Sequence, residues 1–153
     1  MREDAMTLGL LLRQAHRRAA QSLDRALAPL GMSGRHFGIL LLLNRDGTST
    51  QRDLLALTGG DKAGMARTVA ELEAMGAIER EVDSADRRVV HLALTDVGRE
   101  TFASAKRIAS DVGHELTSRL DDAELRQLLG LLMRVVRTVP DTGAEASGRP
   151  EPG

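Results

Sequence analysis

Cysteine, tryptophan and tyrosine do not occur in this chain of 153 residues, and phenylalanine occurs only twice. Without cysteine there is no disulfide, no thiolate metal site and no cysteine redox switch; slower methionine oxidation is the only such chemistry left. The shortage of aromatics disfavours single-stranded DNA or RNA as a ligand, because bases there are stacked on aromatic rings. That leaves a duplex reader or no nucleic acid at all. Long hydrophobic runs are missing too. Leu8 to Leu12 is too short, and too soon followed by Arg13, Arg17 and Arg18, to span a membrane, and it lacks the charged-then-apolar order of a signal peptide. A cytoplasmic protein with no membrane partner is expected.

Signatures of catalysis are equally scarce. Gly59-Gly60-Asp61-Lys62-Ala63-Gly64 resembles a phosphate loop only superficially, since the Gly-Lys-Ser/Thr order is absent. There is no Gly-x-Ser-x-Gly elbow and no His-Glu-x-x-His. His16, His36, His91 and His114 are scattered. A zinc site would have to be assembled from His114, Glu115 or Asp111 and the distant His16, and ordinary core or surface roles explain the four more simply. No enzyme activity, metal or cofactor is expected.

What is present is helical periodicity. Leu8, Leu11, Leu12, Ala15, Ala19, Leu23, Ala26, Leu27 and Leu30 recur at steps of three and four, an amphipathic helix of about six turns that Pro29 and Gly31 end. Ser33 caps a second helix through His36, Phe37 and Ile39 to Leu43. It is apolar nearly all round and reads as the buried centre. Thr95 caps a long helix from about Asp96 to Arg119. Asp121-Asp122-Ala123-Glu124 has the form of a capping box and opens a last helix, striped by Leu125, Leu128, Leu129, Leu132, Val135, Val136 and Val139. Residues 140–153 have the composition of a disordered tail.

Between these helices, residues 50–98 place three signals in a telling order. A short helix begins at Thr50-Gln51-Arg52, and Thr58-Gly59-Gly60 turns into a second helix from Asp61 to Met75. Gly76 stops it, and two β-like segments follow, 77–82 and 89–94, joined by Asp83-Ser84-Ala85-Asp86-Arg87-Arg88. Helix, turn, helix and an arginine-tipped hairpin make a winged helix-turn-helix, whose second helix can enter a major groove while the tip reaches a minor groove.

On the second helix, Ala63 and Ala66 share a face with Arg67 and would let the backbone approach a groove, where Arg67 meets a guanine edge or a phosphate; alternatively Arg67 pairs with Glu71. Thr50, Gln51 and Arg52 open a helix whose free amides suit a phosphate, and Thr50 also suits an N-cap. The charge balance runs the other way. Residues 53–92 hold 5 Lys and Arg against 8 Asp and Glu in a chain of net charge −1, so attraction to phosphate must come from placement. Lys62, Arg67, Arg87 and Arg88 would have to face one way, and Glu71, Glu73, Glu79 and Glu81 another.

Leu27-Ala28-Pro29-Leu30-Gly31-Met32-Ser33, Asp61-Lys62, Arg67-Thr68, Leu72-Glu73-Ala74-Met75-Gly76, Asp86-Arg87-Arg88 and Leu94-Thr95-Asp96-Val97-Gly98, in that order and spacing, resemble the MarR family of bacterial transcriptional regulators over roughly residues 6 to 139. Two departures stand out. Ala63, Gly64, Met65 and Ala66 occupy positions where hydroxyl residues are common, and Ser84 or Ala85 stands where a proline often precedes the wing tip. The resemblance implies that Arg67 reads DNA, that Asp86 braces the wing through an arginine, that Arg88 probes the minor groove, and that Arg87 is a second contact or part of the brace. It further implies a repressor on the nucleoid, released by a small, often anionic or aromatic effector. Arg13, His16, Arg17 and His36 are the candidates for that pocket.

The fold expected is mainly α with a small β-hairpin wing: an N-terminal dimerisation helix (1–32), a winged helix-turn-helix (33–95), C-terminal dimerisation helices (96–139) and a tail (140–153). Leaving the terminal Leu and Val stripes wet would be costly, so a second copy is expected to cover them, giving a two-fold dimer on a pseudo-palindromic duplex; the alternative is that the terminal helices fold back onto their own domain. The competing use is a protein-interaction module whose acidic middle faces a basic partner.

Overall fold

A computed structural model describes residues 2–138, in the order α1 (Arg2–Leu27), a short 3₁₀ turn (Ala28–Leu30), α2 (Gly34–Asp46), β1 (Thr48–Thr50), α3 (Gln51–Thr58), α4 (Lys62–Ala74), β2 (Ile78–Val82), β3 (Val90–Leu94), α5 (Asp96–Leu116) and α6 (Asp122–Thr138). The expected tail at 140–153, and Val139 at the end of the last stripe, lie outside these residues.

Local chemistry sets most helix starts. Ser33 is extended before α2, and its amide donates to Nδ1 of His36 at 3.0 Å. The hydroxyl of Thr50 accepts the amide of Asp53 at 3.1 Å, and a carboxylate oxygen of Asp61 accepts that of Gly64 at 2.8 Å. Thr95 caps α5 through the amide of Gly98 at 3.0 Å. At α6 the reciprocal box forms, Asp121 amide to Glu124 and Glu124 amide to Asp121, both at 2.9 Å. Each bond satisfies a helix-end amide that has no partner within its own helix.

The three strands form one antiparallel sheet in the order β1-β3-β2. The hairpin pairs Ile78 with Leu94 through Val82 with Val90, as the two expected segments require. A third strand was not expected: Thr48, Ser49 and Thr50 pair with Ala93, Leu92 and His91. Three residues carry no readable alternation, so this strand exists only through its long-range partner.

The core is the winged lobe. Leu40, Leu43, Leu54, Val69, Leu72 and Leu92, from α2, α3, α4 and β3, are each buried to 1% exposure or less. Phe37 and Phe102, the chain's two aromatics, stack at 5.9 Å and join α2 to α5. Gly98 lets the start of α5 lie against the residue before β2: a Cβ there would sit 1.9 Å from the carbonyl oxygen of Ala77, which also accepts the amide of Thr95. Two further expectations are corrected. α2 buries His36, Ile39, Leu40 and Leu43 but leaves Leu41 exposed, so it is not apolar all round in effect. α5 ends at Leu116, before Arg119, where Thr117 leaves helical geometry. Among the described residues no single helix is long and apolar enough to cross a membrane.

Candidate nucleic-acid interface

α4 turns Met65, Thr68, Val69 and Leu72 into the core. On the opposite side Ala63, Arg67, Ala70 and Ala74, at helical steps of four, three and four, form an exposed face on which Arg67 is the one long side chain. Lys62 and Ala66 are exposed on its flanks. The pairing of Arg67 with Glu71 is not formed; Oε2 of Glu71 lies instead 2.9 Å from Nε2 of His36. Gly59 and Gly60, with φ of +73° and +95°, make the turn that delivers α4 from α3, a conformation that side chains disfavour. Thr50 is half-buried at the start of α3, where its hydroxyl also donates to Asp53 at 2.6 Å; Gln51 is half-buried and Arg52 exposed.

The wing is tied to α4 by a two-pronged ion pair, Arg80 to Glu73 at 2.6 and 3.0 Å. Its tip is held by a residue that the sequence reading passed over. The carboxylate of Asp83 accepts the amides of Ala85 at 2.8 Å and Asp86 at 2.9 Å, and its other oxygen lies 3.1 Å from Nε2 of His91 on β3. The amide of Asp86, then that of Ala85, then His91 hold the carboxyl of Asp83 below the usual aspartate range, because each favours the ionised form. The carboxylate of Asp86 accepts the Arg88 amide at 3.0 Å and its carbonyl accepts the Val89 amide at 2.9 Å; among the described residues it bridges no arginine side chain. The signal for Asp83 was available: an aspartate two and three residues before free amides in a turn is an Asx turn.

Pairing resolves the charge problem. Of the eight acidic residues in 53–92, Asp53, Asp61, Glu71, Glu73, Asp83 and Asp86 are all engaged within the lobe. Among the described residues, Lys62, Arg67, Arg87 and Arg88 have no hydrogen-bonded or ion-paired side-chain partner, and all four are exposed. The acidic segment therefore offers unspent positive charge on the α4 face and at the wing tip.

A cavity of about 880 Å³ opens between α1, α2, the α3–α4 turn, α4 and α5. His16, Asp24 and Arg35 stand at its wall beside Leu23, Phe37 and Met65. Of the four expected pocket residues only His16 lines it. Arg13 lies a turn beyond the wall, Arg17 about 100° round the helix, and the ring of His36 is spent on Ser33 and Glu71. Arg35, the neighbour of His36, takes its place: with positions 36, 39, 40 and 43 inward, residue 35 falls on the flank. No group of three or more potential metal ligands gathers among the described residues.

A model of the MarR family matches residues 30–89, the stretch from the end of α1 to the wing. HTH-type transcriptional regulator BilQ of Clostridium symbiosum is 34% identical over 89 residues, 58% of this chain and 62% of that protein. The crystal structure of a MarR mutant from E. coli complexed with operator DNA superposes with a TM-score of 0.78 at 25% identity, over 87% of this chain and 96% of the other. BpsR of Bordetella bronchiseptica, whose structure concerns regulation of its DNA binding by 6-hydroxynicotinic acid, superposes with a TM-score of 0.77 at 25% identity, over 85% and 98%.

Proposed function

We propose that this chain, which belongs to the MarR family of transcriptional regulators, acts in the cytoplasm as a homodimeric repressor on a pseudo-palindromic duplex. α4 lies in the major groove with Arg67 reading a base edge, Lys62 and the α3 start at Thr50, Gln51 and Arg52 hold phosphates, and Arg88 with Arg87 enters the flanking minor groove. The observation that carries this reading is the sorting of charge: cations unspent on two outward features, while six of the eight carboxylates of the segment are already bonded within the lobe. Support for duplication comes from the terminal helices, where Leu128, Leu129, Met133 and Val136 are 41%, 54%, 52% and 67% exposed. A small effector in the cavity, meeting His16 and Arg35, would press on α4 at Gly64 and Met65 and loosen its seat.

Use as a protein-interaction module drew its support from the acidic balance of 53–92, and six of those eight carboxylates are already engaged. Selection of bound sequences from a random duplex pool tests the reading. Enrichment of an inverted repeat, bound less tightly as salt rises, is expected; recovery of no sequence, or of a single unrepeated half-site, would overturn it.

A further inference from the structure

One polar bridge joins the start of α2 to the outward half of α4. His36 is 8% exposed, and both of its ring nitrogens are used. The amide of Ser33 donates to Nδ1 at 3.0 Å, which makes Nδ1 the acceptor and leaves the ring proton on Nε2. Nε2 then donates to Oε2 of Glu71 at 2.9 Å. Helix capping alone does not require this second bond, since Nδ1 already serves Ser33. Nor does burial require it: the side chain of Glu71 is 50% exposed and water would solvate it if released. The bond does fix one flank of α4 against α2. Glu71 stands one turn beyond Arg67 and three residues beyond Thr68, where the cavity wall on that helix ends.

We propose that His36 is a positioning residue for DNA recognition: the Ser33–His36–Glu71 bridge sets the angle of α4 and hence where Arg67 enters the groove. The proposal rests on α4 being the DNA-reading helix. Gly64, Met65 and Thr68 border a void on the same side, so the bridge is where that side of the helix is anchored. Because hydrogen-bond geometry is what counts, its loss changes specificity more than general attraction to phosphate.

The test separates the two bonds of the ring. His36→Asn keeps an acceptor near Nδ1 for Ser33 but cannot reach Glu71; Glu71→Ala removes the acceptor; Glu71→Gln removes only the charge. Affinity for a selected duplex over a scrambled one, at matched salt, should fall about fivefold in His36→Asn and in Glu71→Ala, and no further in the double variant. Glu71→Gln should restore the parent's ratio. A charge effect would instead make Glu71→Ala and Glu71→Gln alike and tighten both duplexes equally, which overturns the proposal, as does an additive double variant. Amide exchange of DNA-free protein is the second arm: α4 should exchange faster in His36→Asn and Glu71→Ala with α5 unchanged, and unchanged α4 exchange overturns the bridge. A parent that prefers no duplex overturns the DNA reading, and the exchange arm still decides the bridge by itself.

Discussion

The winged lobe and the terminal helices are equally apolar by sequence, and the structure treats them in opposite ways. In the lobe, α2, α3, α4 and β3 close on one another, and Leu40, Leu54, Val69 and Leu72 have no exposed surface at all. α6, striped by leucines as regularly as any helix in the chain, buries none of its residues. α1 is divided between the two: Leu27 at its end is fully buried, whereas Leu8, Leu10 and Leu11 are 42%, 57% and 56% exposed. Periodicity shows that a helix has an apolar face but not whether its cover lies in the same chain.

The largest expected effect breaks the comparison at α6. Replacing Leu128 and Leu132 with Asp puts two charges on the stripe that a second copy would cover, at a cost of about 2 kcal/mol or more per buried site. Sedimentation should turn from dimer to monomer or aggregate, with the lobe's helical content retained in any soluble monomer. A native protein that is a well-folded monomer at micromolar concentration would show that the stripe needs no partner.

Two glycine-to-alanine changes should move stability in opposite directions. Gly98→Ala drives a methyl into the Ala77 carbonyl, 1.9 Å from the ideal Cβ, where two backbone segments must separate. A loss of about 3 kcal/mol in thermal or denaturant unfolding is expected. Gly130, mid-helix on α6 and on the side away from the leucine stripe, has nothing within 4 Å of its Cβ. Gly130→Ala should stabilise by about 0.5–1 kcal/mol through helix propensity. Destabilisation there would mean that the far side of α6 is also covered.

Features readable in the sequence were those that neighbours in sequence decide. Thr50, Thr95 and the Asp121–Glu124 box cap their helices where their spacing says they should, and Gly76 ends α4 within a residue of expectation. Features decided across the chain were not readable. β1 exists because Ser49 finds Leu92 on a strand more than forty residues away. His36 resembled a pocket residue by its position beside an apolar stripe, yet Glu71, thirty-five residues on, claims its ring. Asp83 was overlooked for a different reason: its Asx turn is local, but the arginine pair beside Asp86 drew the reading to that aspartate alone, where two carboxylates share the turn.

Within the lobe, α4 and the wing tip differ in how they are held, and two arginines test the difference. Arg67 stands on a helix fixed by the core, by His36 and by the Glu73–Arg80 pair. Arg67→Ala should cost about 1–3 kcal/mol on the selected site and relax preference at one base pair. Arg88 stands on an exposed turn held only by carboxylate–amide and backbone bonds, so Arg88→Ala should cost less and chiefly at A·T-rich flanks, where the narrowed groove has the most negative potential. Helical content and oligomeric state should be unchanged in both, since neither residue is buried. If both variants bind the selected duplex as tightly as the parent at matched salt, the groove assignments are wrong.

The smallest effect expected lies at Asp83 and sharpens the contrast between a helix held by packing and a turn held by carboxylate–amide bonds. Its ionised form accepts two amides and faces His91, and its folded value lies below the ordinary one of about 4. A carboxyl lowered in the folded state contributes stability above its unfolded value and loses it as pH falls through the folded one. The parent should therefore exceed Asp83→Ala in stability near neutrality, with the gap closing only on the acid side of the ordinary aspartate value. Unfolding curves of both proteins across that range measure the gap. Because the wing carries Arg87 and Arg88, the same variant at neutral pH should lose flank preference as Arg88→Ala does while keeping the base preference set by Arg67. A stability gap that stays constant into acid, or a loss of preference at the Arg67 base pair, would show that the turn does not depend on this carboxylate in the way its bonds imply.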